Sequence, residues 1–240
     1  MEPYNFDASE IIVEFNARPS AQTPAIVAHK LRRPTLDELL ARERASAYEM
    51  IEVEKNADEI RVDDEAANVA LWEKVIVAVR GYGGADWQTL DDAQIKEMRA
   101  SHKTTAIRGM YQAECDLLDD EGEITLSAQT WRILQTFGSG HTVTHSLREW
   151  TESERQRFKR ASSSTRNVRG SRKAHVQVIS NLKAYVELFD ALWQGCEGGA
   201  ISGHGYTPET RGVFLAQIDP IWKRQIVQTL AGAMEAQLRD

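Results

Sequence analysis

The chain has 240 residues, 42% of them apolar and 27% charged, with a net charge of −7, enough to bury one large core or two of ordinary domain size. No apolar run approaches the roughly 18 residues of a membrane span, and the acidic start Met-Glu-Pro-Tyr-Asn-Phe-Asp lacks the basic-then-apolar pattern of a secretion signal; the chain is expected in the cytoplasm of the cell that makes it. Cys115 and Cys196 are too few and too far apart for a disulfide framework or a four-thiolate zinc site and are expected as buried, reduced thiols, while the acidic balance argues against a surface devoted wholly to nucleic acid.

Along the chain, Ile11 to Phe15 is rich in β-formers and predicts a strand, joined to a second by a loop holding Pro19 and Pro24. Thr35 followed three residues later by Glu38 reads as a capping box that opens a helix. Val69, Trp72, Val75, Ile76 and Val79 form one apolar stripe, predicting a second helix that ends at Gly81. Asp119-Asp120-Glu121-Gly122 reads as a turn within the extended segment from Cys115 to Thr130. Trp131 to Phe137 predicts another strand, followed by a loop with Gly138 and Gly140 and a second capping box, Thr151 with Glu154. Leu182, Tyr185, Val186, Phe189, Leu192 and Trp193 predict a helix stopped by Gly195 or Gly198. Thr207 with Pro208 starts the last helices, which break at Asp219-Pro220 and resume through Trp222, Ile226, Val227 and Leu230.

These elements repeat. Ala25 to Ala47 aligns without a gap on His141 to Ser163, with nine identical pairs that include His29 and His145, Arg32 and Arg148, Thr35 and Thr151, and Glu38 and Glu154; chance supplies about one or two. With slight slippage Trp72 meets Phe189, Gly81 meets Gly198 and Lys103 meets Lys223. The fold class expected is α+β: two copies of one strand-hairpin-plus-helices module packed as a pseudo-dimer, residues 1–118 and 119–240, each with its leading strand.

Charge separates the copies. From Arg155 to Val186 there is no acid, while Arg155, Arg157, Lys159, Arg160, Arg166, Arg169, Arg172 and Lys173 are basic. The aligned stretch of the first copy carries Glu49, Glu52, Glu54, Asp58, Glu59, Asp63 and Asp64. Opposite faces of this kind set register and partner choice. The helix after Thr151 also has Glu152, Arg155 and Gln156 where the earlier one has Leu36, Leu39 and Leu40, so it is expected to be exposed or bound to something polar.

Other motifs carry less chemistry. His141 and His145 sit four apart on a strand, roughly 13 Å from one another at about 3.3 Å per residue, too far to share an ion. The glycines at 81–84 and 198–205 lack the Lys-Ser/Thr of a phosphate loop and follow helices, so they read as turns. No spacing singles out a catalytic set, and no activity, cofactor or metal is expected.

The strings HKLRRPTLDELL, LDDAQIKEM and AIRGMY resemble segments of tail-assembly chaperones among the morphogenesis proteins of tailed bacteriophages; the later copy departs from them with Trp150 in place of Pro34. The resemblance implies a viral structural or assembly protein of phage or prophage origin, acting in the bacterial cytoplasm or within the virion. Its partners would be itself or other viral structural proteins, with no membrane and no catalytic residues to carry over. Binding of nucleic acid along residues 155–173 is the alternative.

Overall fold

The computed structural model describes the backbone of residues 2–17, 24–54, 57–118, 130–166, 176–179 and 181–237, and side chains within these except at 47–62, 163–166, 176–179 and 235–237. Among the described residues the fold is mixed α+β, with eight α-helices, three sheets of three or four strands and two two-stranded ribbons. The chain divides into two compact units. The leading unit is Ser9–Tyr111 with Thr165–Gln177; the trailing unit is Met1–Ala8, Gln112–Ser164 and Val178–Asp240.

The strands β1 (Tyr4–Asn5), β2 (Glu10–Asn16) and β3 (Ile26–Arg32) come first. In the leading unit β2 and β3 form the expected hairpin, with Val13 opposite His29, and β3 continues to β6 (Ile76–Arg80). Between them run α1 (Leu36–Ala45), the ribbon β4 (Ala47–Glu54) and β5 (Ala57–Asp63), and α2 (Glu65–Val75). Two further helices, α3 (Asp92–Glu97) and α4 (Ala100–Met110), close the unit, with α4 packed on α2 and β2. Leu31, Leu71, Trp72, Val75, Val79 and Ile107 are buried here.

The trailing unit is built around a sheet in the order β12 (Trp193–Glu197), β9 (Thr142–Arg148), β8 (Thr130–Phe137), β7 (Ala113–Leu118), all antiparallel. Strict alternation turns Trp131, Ile133, Gln135 and Phe137 of β8 inward, because side chains on a pleated strand repeat every second residue. The helix α5 (Glu152–Ser162) leads into the ribbon β10 (Ser163–Arg166) and β11 (Val176–Ile179), then α6 (Leu182–Leu192). A 3₁₀ turn at Pro208–Thr210 opens α7 (Arg211–Gln217), and Asp219 precedes α8 (Pro220–Gln237), as the prolines predict. A second small sheet joins β1, parallel, to β13 (Gly199–Ile201), which pairs with β14 (His204–Gly205).

Two boundaries differ from the sequence reading. The apolar stripes that continue through Val79 and Trp193 are helical only to Val75 and Leu192; the next residue is extended in both cases, Ile76 at φ −64°, ψ 133° and Trp193 at φ −67°, ψ 129°. An apolar run fits a buried strand as well as a helix, and the β-branched Ile76 and Val77 favour the strand. Gly81 and Gly198 therefore end strands β6 and β12, not helices. Each has φ near +80° to +90° (89° and 80°), and a Cβ would lie 2.6 Å from the Ile26 carbonyl oxygen at Gly81 and 2.7 Å from that of Thr142 at Gly198. The glycines at 199–205 likewise fall largely within the β13–β14 hairpin rather than in a free turn.

Candidate functional site

In the leading unit, α2, β3, the loop after β6 and α4 bring four polar aromatic side chains together. The Trp72 indole N–H donates to His29 Nδ1 (2.9 Å), His29 Nε2 lies 2.8 Å from the Tyr82 hydroxyl, and that hydroxyl lies 2.9 Å from His102 Nδ1. Donor and acceptor roles follow from the indole, which can only donate. His29 Nδ1 must accept, so its proton sits on Nε2 and points at Tyr82. Tyr82 then donates to His102 Nδ1, and the Ala17 carbonyl accepts from the remaining imidazole N–H of His102. The chain of bonds thus runs in one direction with both histidines neutral. Burial and the neighbouring His102 hold His29 at about 4, burial and the Arg99 charge lower His102, and burial pushes the Tyr82 phenol up to about 12.

The trailing unit treats its own histidine in a related way. Trp193 donates to His145 Nδ1 (3.2 Å), and His145 Nε2 faces Gln135 Oε1 (3.1 Å). Burial alone holds this imidazole at about 3.

Arginine and lysine pairs brace both units. Arg32 forks onto Glu38 (2.9 and 2.6 Å) and donates to the Lys74 carbonyl; Arg148 forks onto Glu154 (2.9 and 2.6 Å) and donates to the Ala191 carbonyl. Glu38 and Glu154 also accept the backbone N–H of Thr35 and Thr151, completing both expected capping boxes. The paired arginine, then these threonine contacts, hold each carboxyl at about 2. Lys103, 2% exposed, donates to Glu73 and lies over the Trp72 ring; Lys223, 5% exposed, donates to Asp190 and lies over the Phe189 ring.

Of the predicted basic face, Arg155, Arg157, Lys159 and Arg160 lie together on α5, with Arg155 bonded to Glu152. Arg157 and Arg160 line a shallow groove of about 510 Å³ with Ser153, Gln156 and Ala161. The α5 helix is largely solvent-facing, as its lost leucines predict; the half-buried Phe158 packs against Tyr185 and Trp150, and Ser162 at the end of the helix is buried. The Arg166 side chain, and Arg169, Arg172 and Lys173 entirely, lie outside the described residues. On the acidic side the same holds for the side chains of Glu49, Glu52, Glu54, Asp58 and Glu59, although their backbone forms the β4–β5 ribbon. Asp63 accepts the Glu65 N–H, and Asp64 is bonded to Arg42 and Arg108, so these two acids serve the unit's own structure.

The cysteines are half-buried rather than fully buried, and burial pushes both thiols up to about 12, far from a reactive thiolate. His141 and His145 do not share a role: His141 bonds Ser139 at the surface. Among the described residues there is no cluster of three or more metal-ligating side chains and no helix long and apolar enough to cross a membrane. Tyr82, Arg99 and His102 were not singled out by the sequence; a tyrosine between flexible glycines after an apolar run was the available signal. Comparison with family models, curated proteins and solved structures returns no match.

Proposed function

We propose that the chain is a non-enzymatic assembly protein, built from two copies of one module, that works through contacts with other polypeptides. The observation that carries this reading is the matched internal bracing of the two units. The Arg–Glu fork with its threonine cap, the buried lysine over an aromatic ring, the indole-to-imidazole bond and the glycine against a carbonyl recur in the same order along the chain. These polar groups fix backbone, and Glu38, Glu154, His29 and His145 are held far from the neutral range where general acid–base chemistry works. What differs is the surface: α1 buries Leu39, whereas α5 presents Arg157 and Arg160. A conserved frame with divergent faces suits a component that meets unlike neighbours in an assembly.

The setting the resemblance implies is tail morphogenesis in a tailed bacteriophage, in the host cytoplasm or the particle. Light scattering at about 0.05 and about 0.5 M salt tests the reading, because the reach of exposed charge contacts shrinks from roughly 14 Å to roughly 4 Å between these ionic strengths. Self-association, or capture of a viral structural protein, that weakens at the higher salt is expected. A monomer indifferent to salt that captures no viral structural protein would contradict it.

The groove along α5 favours one other reading, a nucleic-acid contact. It predicts a mobility shift that falls steeply with salt and is lost in Arg157→Ala with Arg160→Ala.

A further inference from the structure

Resting on the two-module reading, the geometry points to the pocket beside Tyr82 as a second seat for a peptide strand. The first seat is occupied by the chain itself. In the trailing unit Tyr4 stacks on Phe137 (3.8 Å, 3°) and meets His141 and Trp222 edge-on, while the Tyr4 N–H donates to the Gly198 carbonyl and the Phe6 N–H to that of Ala200. Phe6 is fully buried against His145 and Phe214.

Strand register identifies the counterparts in the leading unit. Val13 faces His29 as Ile133 faces His145, which sets Ala17 against Phe137. The same backbone bond confirms the pairing, Ala17 N–H to Ala25 carbonyl (2.8 Å) and Phe137 N–H to His141 carbonyl (2.9 Å). Gly81 stands for Gly198. His102 and Trp222 each precede the buried lysine, so they correspond, and Arg99 corresponds to Asp219 through the N–H that Lys103 or Lys223 donates to its carbonyl. Tyr82 takes the place of Phe6: its ring lies 5.7 Å from His29 at 51°, and that of Phe6 lies 6.3 Å from His145 at 52°.

Among the described residues the place of Tyr4 has no such substitute. Ala17, Ala25, Val27, Met98, Arg99 and His102 instead surround a cavity of about 390 Å³, within the range of about 300–1,000 Å³ that holds small ligands. Its apolar wall suits an aromatic ring. Arg99, exposed and in no ion pair among the described residues, stands where the trailing unit has an acid, so it selects a segment with acidic residues beside the ring. Glu97 at the rim opposes a second acid on its own side. The occupant is therefore a short extended segment of another protein, carrying one aromatic side chain flanked by acid, laid along the loop after β6 as β1 lies along β13.

Fluorescence anisotropy of a labelled synthetic peptide, Glu-Pro-Tyr-Asn-Asp, titrated with the full chain tests this. Saturable binding is expected, weakened at least tenfold by Arg99→Asp and by Ala25→Trp, both at solvent-accessible positions, and abolished when the peptide tyrosine becomes alanine. No saturable binding, or binding indifferent to both variants, overturns the proposal. Self-association that disappears in Tyr4→Ala and is competed away by the same peptide would assign the pocket to the arm of a second copy and overturn it as well. Failure with His29 and His145 both neutral at about pH 6 would remove the pocket and leave the two-module reading standing; a charged His145 would remove that reading.

Discussion

His29 and His145 each take an indole N–H on Nδ1, yet the proton on the opposite nitrogen meets a tyrosine in the leading unit and a glutamine amide in the trailing one. The glutamine comes from β8, at the register position where β2 has Phe15, whose ring lies 5.1 Å from His29. Each unit thus supplies one aromatic and one hydrogen-bond acceptor to its imidazole, from exchanged positions. Phe6 and Gln135 do in one unit what Tyr82 and Phe15 do in the other. The requirement is for a neutral, bonded imidazole at the sheet centre, and more than one arrangement meets it because a buried donor left unpaired costs more than either partner is worth. Among the described residues only the leading unit extends the chain of bonds outward, through Tyr82 to His102, to a pocket.

The comparison breaks most readily at the buried lysines. Glu73→Ala leaves Lys103 with only the Trp72 ring among its described partners, whereas Asp190→Ala leaves Lys223 the Leu215 carbonyl at 2.6 Å. Urea denaturation is expected to show a loss of about 3 kcal/mol for the first and clearly less for the second; equal losses would mean that the carbonyl does not share the charge.

Acid sharpens it next. Both histidines have folded values below the ordinary 6.5, about 4 and about 3, so the unfolded chain protonates first and the stability they contribute is complete above about pH 6.5. Between about pH 6.5 and pH 5 each should take away about 2 kcal/mol. His145→Gln should flatten that slope. Glu38 and Glu154, lowered to about 2 from 4.5, act in the same direction from about pH 4.5 downward, where they overlap the last part of the histidine loss, which runs to the folded values of about 4 and about 3.

Removing the indole donor tests the shared bond itself. Trp72→Phe and Trp193→Phe should each cost about 1–2 kcal/mol, with Trp72 the larger because its bond is shorter. Smallest are the caps: Thr35→Ala and Thr151→Ala should each cost about 1 kcal/mol, and by similar amounts, since each hydroxyl accepts the N–H of its glutamate at 3.3 Å.

Much of the frame is local and could be read from the chain. The two hairpins follow from alternation around Pro24 and Gly140, the capping boxes from Thr-x-x-Glu, and the break before α8 from Asp219-Pro220. The strands β6 and β12 were hidden because Ile76 and Trp193 prolong a helical stripe, and periodicity does not separate a short buried strand from one more helical turn. The arm at Tyr4 had no pattern to show: two residues pair with a strand some 195 positions away. The pocket was invisible for the same reason, because Ala17, Tyr82 and His102 meet only once the sheet and α4 are in place.

Nitrogen-15 NMR of the imidazole rings across about pH 5 to 8 tests most directly whether the two units share one frame. The account predicts that His29 and His145 both stay neutral throughout, each with its proton on Nε2 and a bare, hydrogen-bonded Nδ1. Titration of either ring near its ordinary value, or the opposite tautomer in one of them, would contradict it.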